Sequence, residues 1–172
     1  MKVLILLIVV VVIVAIVLKI RSAKKVAMSS NPVDGICFGG VMGFMLGDSY
    51  EFCLSRFKHL DINVDYQEKT GTDSMILTWG KNQYNNINEV RFMFDNKKLA
   101  SIVIDIDFSK DGIQDMYGIL ISRICRVLRT EPIMSNPKQT AWASPKSDII
   151  LLFRHLVPVS EEEILLIQIK SL

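Results

Sequence analysis

Two stretches of the chain carry apolar residues at helical spacing. Tyr50, Cys53, Leu54 and Phe57 fall at i, i+3, i+4 and i+7, which is one face of a helix. Tyr117, Leu120, Ile121, Ile124, Cys125 and Leu128 repeat that stripe and carry it a turn further. Asp48, with Glu51 three residues on, predicts an N-cap and capping box for the first helix, which runs to about His59. The second helix is predicted to begin near Asp111-Gly112, with Asp111 as its cap.

Elsewhere the period changes to two. Val90, Phe92 and Phe94 alternate with Arg91, Met93 and Asp95; Ile102, Ile104, Ile106 and Phe108 alternate with Ser101, Val103, Asp105 and Asp107. This alternation predicts strands over 90–94 and 99–106 in an antiparallel sheet with one dry and one wet face. Asp95-Asn96-Lys97-Lys98 lies between them and reads as a hairpin turn, because Asp and Asn accept turn geometry. Strands are also predicted over 149–153 and 164–169, with a further one over 62–67. The run 149–153 and residues 164–167 are apolar on both faces, which implies a central place in the sheet or a covered far face. The glycine-rich run from Ile36 to Gly47 lacks both G-x-x-x-x-G-K-[ST] and G-x-G-x-x-G. Its glycines are read as turns of a short strand or hairpin beside a helix, not as a phosphate cradle.

The two helices recur in a shared context. Each tyrosine is followed at the same offset by a Ser-Arg pair, Ser55-Arg56 and Ser122-Arg123. A tryptophan comes next, Trp79 and Trp142, and then two strand-like stretches. The expected fold class is therefore α+β. Two layers are built from internally duplicated halves, about 35–110 and 111–172, each a helix followed by three or four antiparallel strands.

Ahead of these halves, Val3 to Leu18 is an unbroken run of sixteen apolar residues, extended past Lys19 to Ile20. A spanning helix needs about 20 such residues, with ~17 as a minimum, and Lys2 and Lys19 can snorkel to the headgroups. Residues 3–20 are expected to cross the lipid bilayer as one transmembrane helix, with 1–25 as anchor and basic flank and 26–34 as a linker. A cleaved signal peptide competes, with Ala27-Met28-Ser29 as a small-x-small site. However, Lys19, Arg21, Lys24 and Lys25 follow the apolar run, where a signal peptide carries its charge before it. The same four charges favour a cytoplasmic C-terminal domain in a single-pass protein.

Charge and cysteines narrow the function. The chain carries +2 overall, but the five basic residues among the first 25 create that surplus. Without them 15 Lys and Arg face 18 Asp and Glu, leaving −3 on the domain. A nucleic-acid partner needs a basic patch on the domain, and none is seen. Cys37, Cys53 and Cys125 match no metal spacing, and His59 and His155 stand far apart. Cys53 and His59, six residues apart, fall on different helix faces, so this thiol lacks a base and fits the apolar stripe. Asp105-Ile106-Asp107 with Asp111-Gly112 is out of step with a calcium loop, because the third acid falls at position seven and the glycine at eight. No catalytic residue, metal or cofactor is expected.

The tandem of helix-plus-sheet halves behind an apolar N-terminal segment, with its repeated Tyr, Ser-Arg and Trp, resembles the β-lactamase-inhibitor-protein-like architecture over about Gly35 to Leu172. The small outer-membrane assembly lipoproteins of the SmpA/OmlA kind carry a single such unit. No lipidation cysteine follows the apolar run here, and the resemblance implies a fold without supplying functional residues. The function expected is that of a membrane-anchored, non-enzymatic module that binds a protein through an open sheet face. Candidate contacts are Trp79, Arg91, Met93, Asp105 and Asp107 in the first half and Trp142, Arg154 and Lys170 in the second. The tryptophans either anchor the partner or close the core. The alternative is a membrane-tethered small-ligand binder or hydrolase with a pocket between helices and sheet, using His155 or Cys37 near a carboxylate.

Overall fold

The computed structural model describes residues 31–60, 64, 66–69, 75–79, 86–108, 112–145, 148–156 and 163–171. The transmembrane helix expected over 3–20 lies outside these residues, as does the linker up to residue 30. Among the described residues no helix is long and apolar enough to cross a membrane.

A 3-10 turn, Pro32–Gly35, opens the described chain and leads into three two-residue strands, β1 Ile36–Cys37, β2 Gly40–Val41 and β3 Phe44–Met45. They pair in the antiparallel order β1-β2-β3. Gly39 and Gly43 turn the chain between them at φ +79° and +81°, a region that costs any residue with a Cβ. The glycine-rich run is thus a pair of tight hairpins.

Helix α1, Tyr50–His59, follows. Its cap is Ser49, whose Oγ accepts from the Phe52 amide at 3.1 Å. Asp48 instead turns back and accepts from the Met45 amide at 2.8 Å. The cap therefore sits one residue later than predicted, and Asp48 closes the β3 turn.

Among the described residues the main sheet has eight antiparallel strands. The first half supplies β4 Tyr66–Lys69, β5 Met75–Trp79, β6 Ile87–Asp95 and β7 Lys98–Ile106. Helix α2, Ile113–Leu128, intervenes, and the second half adds β8 Met134–Ser135, β9 Gln139–Ala143, β10 Asp148–Leu156 and β11 Glu163–Ser171. The strand expected over 62–67 overlaps β4 at 66 and 67; its positions 62, 63 and 65 lie outside the described residues. α2 starts after Gly112, which holds φ +75° and offers no side-chain cap; Asp111 is outside the described residues. The strand order is β4-β5-β6-β7-β11-β10-β9-β8. Each half is a meander, and the last strands of the two halves pair at the centre. β10 and β11 are interior strands, one of the two placements expected for strands that are apolar on both faces. Asn96 and Lys97, at φ +47° and +58°, make the two-residue turn between β6 and β7, the geometry that suits the twist of a hairpin.

One face of this sheet is dry. Leu77, Phe92, Ile102, Ile169, Ile150 and Trp142 lie side by side across six strands, and each is fully buried. Both helices cover that face. Phe57 of α1 meets Phe92 at 5.2 Å between ring centroids. Tyr117 of α2 donates through its hydroxyl to the Asn136 carbonyl at 3.0 Å and shares a 2.9 Å bond with Thr140 Oγ1.

The small sheet sits in the same layer. Phe44 stacks on Phe57 at 4.5 Å and contacts Phe92 at 5.1 Å. The two Ser-Arg arginines both reach this N-terminal arm. Arg56 lies over the Phe44 ring at 5.4 Å, and Arg123 grips Asp34 with a two-pronged pair at 2.7 and 2.6 Å.

Candidate functional site on the open face of the sheet

The helices and the small sheet occupy one side, so residues of the other parity line a face that no described element covers. Strand register sets Thr78, Arg91, Val103, Gln168, Leu151 and Ala141 in one row across this face. The two ends of the row differ in chemistry.

Toward β6 and β7 the face is charged. Arg91 Nε stands 3.0 Å from the Glu89 carboxylate. Asn88 donates to Asp105 Oδ1 at 3.1 Å. Burial pushes the Asp105 carboxyl above its usual range, against the opposing pull of the Asn88 bond and of Arg91, while Asp107 adds to the rise. Asp105, Asp107 and Glu163 border a shallow depression with Phe108 and Ile164. Among the described residues no group of three or more His, Cys, Asp or Glu could hold a metal ion.

Toward β10 and β11 the face is apolar. Ile149, Leu151 and Phe153 are half-buried, and Leu166 is only 8% exposed. Val103 at 7% and Ala141 at 2% are also buried, although these three stand apart from the core cluster. Each has a longer cross-strand neighbour in register: Arg91 and Gln168 beside Val103, Leu151 beside Ala141, and Phe153 beside Leu166. Gln168 Nε2 donates to Ser101 Oγ at 3.2 Å across the central seam.

The structure divides the residues expected to meet a partner. Arg91, Met93, Asp105 and Lys170 belong to the open face by register, and Asp107 lies just past the end of β7 on the same side. Arg154 has the opposite parity. It lies on the helix side, where it donates to Gln114 Oε1 at 2.5 Å and pairs with Glu163 at 3.1 Å. Trp142 is fully buried in the core row. Trp79 pairs with Val90 in register, and its side chain lies outside the description. Sequence reasoning left out Val103, Leu151, Phe153 and Leu166. For Leu151, Phe153 and Leu166 the signal was the two-sided apolar character of β10 and β11, which does not say by itself which residues face which way; Val103 stood on the wet face of β7 by alternation.

The alternative site, a pocket between helices and sheet, finds a cavity of about 80 Å³ between Asn31, Val33, Ile87, Ile106, Met116 and Arg123. Ligand pockets run from about 300 Å³ upward. Cys37 does stand near a carboxylate, since burial and then the charge of Asp148 raise its thiol pKa. That environment keeps the thiol protonated, the reverse of an activated nucleophile. The side chain of His155 lies outside the described residues. No known protein family, curated protein or solved structure matches this chain.

Proposed function

We propose that the domain is a non-enzymatic protein-binding module that presents its open sheet face to another protein, and that residues 3–20 anchor it in a bilayer. The observation that carries the reading is the run of apolar residues on the uncovered face, with Val103 and Leu166 nearly buried and Leu151, Phe153 and Ile149 half-buried. A charged margin of Arg91, Glu89 and Asp105 flanks it. An apolar centre with a polar rim is the usual anatomy of a binding surface. Lys170 joins the contacts on this reading; Arg154 and Trp142 serve the fold. The experiment compares full-length protein with Leu151→Glu and Arg91→Glu variants in chemical cross-linking on intact cells. Both substitutions should remove the same cross-linked species and leave the melting temperature within a few degrees. A species that survives both changes would refute the surface.

We also propose that the halves arose by duplication. Two features support it. Cys53 and Phe57 of α1 match Leu120 and Ile124 of α2 in burial. In strand register, Trp79–Val90–Ile104 lines up as Trp142–Ile150–Ile169 does. An experimental structure tests this directly. The rotation that lays Ile104 on Ile169 should lay the α1 stripe on that of α2, and displacement by a helical turn or more would contradict it.

A further inference from the structure

The outer side of α2 carries a second stripe. Asp115, Gly118, Ile119, Ser122 and Arg126 fall at i, i+3, i+4, i+7 and i+11, a single helix face opposite the buried Tyr117, Leu120 and Ile124. An open groove runs along it. Ile119 is 52% exposed. A Cβ at Gly118 would meet no atom within 4 Å, so the fold itself does not require glycine there. Glycine inside a helix costs up to about 1 kcal/mol relative to alanine. Asp115 and Arg126 are both exposed, and neither takes part in an ion pair among the described residues. The helix dipole suits each charge at its own end, but it gives no reason for an exposed isoleucine and a glycine between them.

We propose that two copies of this chain associate through α2, with the helices antiparallel about a two-fold axis. Asp115 of each copy then faces Arg126 of the other, and Gly118 faces Ser122, because both pairs are centred on nearly the same point of the helix. The missing side chain at Gly118 lets the backbones approach, and Ile119 fills the space beside the crossing. The two-fold axis makes each pairing occur twice. A parallel arrangement would instead bring like charges together. Two four-turn helices bury less than the ~800 Å² per partner of a standard interface, so the association is weak and reversible. The surface lies on the helix side of the sheet and does not compete with the open face.

The test is sedimentation equilibrium of the full chain in detergent micelles over a wide concentration range. Dimer should accumulate with concentration. Asp115→Arg and Arg126→Asp should each weaken it roughly tenfold, and the two changes in one chain should restore it. Gly118→Leu should abolish it. The charge reversals sit at exposed positions, so circular dichroism should be unchanged. A chain that stays monomeric throughout would overturn the proposal. So would a dimer indifferent to the reversals, a combined variant no better than the single ones, or a dimer that responds to Leu151→Glu instead.

Discussion

The two faces of the sheet are built by the same strands and differ in what covers them. On the helix side, six residues in register from Leu77 to Trp142 are all fully buried, and aromatic contacts from Phe44 and Phe57 complete the layer. On the other side the matching row runs from Thr78 through Arg91 and Gln168 to Ala141, mixing charge and apolar surface with no described layer above it. Burial on the first face follows from folding. Apolar character on the second needs a different cause, and a partner protein is one that fits the charged margin beside it.

Substitutions can break this comparison, starting from the dry face. Trp142→Ala should cost about 3–5 kcal/mol, the usual loss for a large aromatic removed from a packed core, read by denaturant unfolding. Trp142→Phe should cost less, because the indole Nε1–H is buried without an acceptor among the described residues and its loss breaks no bond. Tyr117→Phe removes a hydroxyl held by Asn136 and Thr140 and should cost about 1–2 kcal/mol. Thr140 Oγ1 keeps its 3.0 Å partner Ser135, which limits the loss.

Smaller effects sharpen the contrast. Arg123→Ala breaks the grip on Asp34, a pair whose side chains are 33% and 46% exposed. It should cost only about 0.2–1 kcal/mol and should loosen the N-terminal arm, read as faster amide exchange around residues 33–36. Leu151→Ala, on the open face, should change stability by less than about 1 kcal/mol. A loss as large as that of Trp142→Ala would mean that the open face is covered by the chain itself.

The Cys53 thiol reports on the helix layer. Burial first, then the charge of Asp48, pushes its pKa up to about 12, against an opposing pull from Arg56. A thiol whose pKa is raised by folding contributes stability below its unfolded pKa, and that contribution is lost as pH climbs toward the folded value. Stability should therefore decline between about pH 9 and 12 in the native chain and less steeply in Cys53→Ala. Alkylation followed by mass spectrometry should find Cys53 unmodified at pH 8 in the folded protein, while the half-exposed Cys125 reacts.

How much of this the sequence showed depended on which alternations were clean. Val90-Phe92-Phe94 and Ile102-Ile104-Ile106 keep apolar residues at every second position, with Met93 and Val103 the apolar exceptions between them, so β6, β7 and their turn were legible to within a few residues. The helix stripes were equally plain. β10 gives no such contrast, because Ile149 to Phe153 is apolar throughout. From the sequence Arg154 therefore reads as an open-face residue, whereas strand parity puts it on the helix side, against Gln114 of α2. The sequence points to Asp48 as the cap of α1, because Asp and Ser stand side by side and both cap well; the β3 turn takes the aspartate and leaves Ser49 for the helix. The grip of Arg123 on Asp34 joins residues 89 positions apart, beyond the reach of local pattern. The two-residue strand β8, between Pro132 and Pro137, is too short to show a period.

Site-specific photocrosslinking tests the open face most directly. A photoreactive residue at position 151 of the full chain, activated in intact cells, should give one discrete protein adduct that Arg91→Glu removes and that the same probe at exposed Ser55 does not give. Absence of any adduct from position 151, or one identical from both positions, would contradict a binding surface on this face.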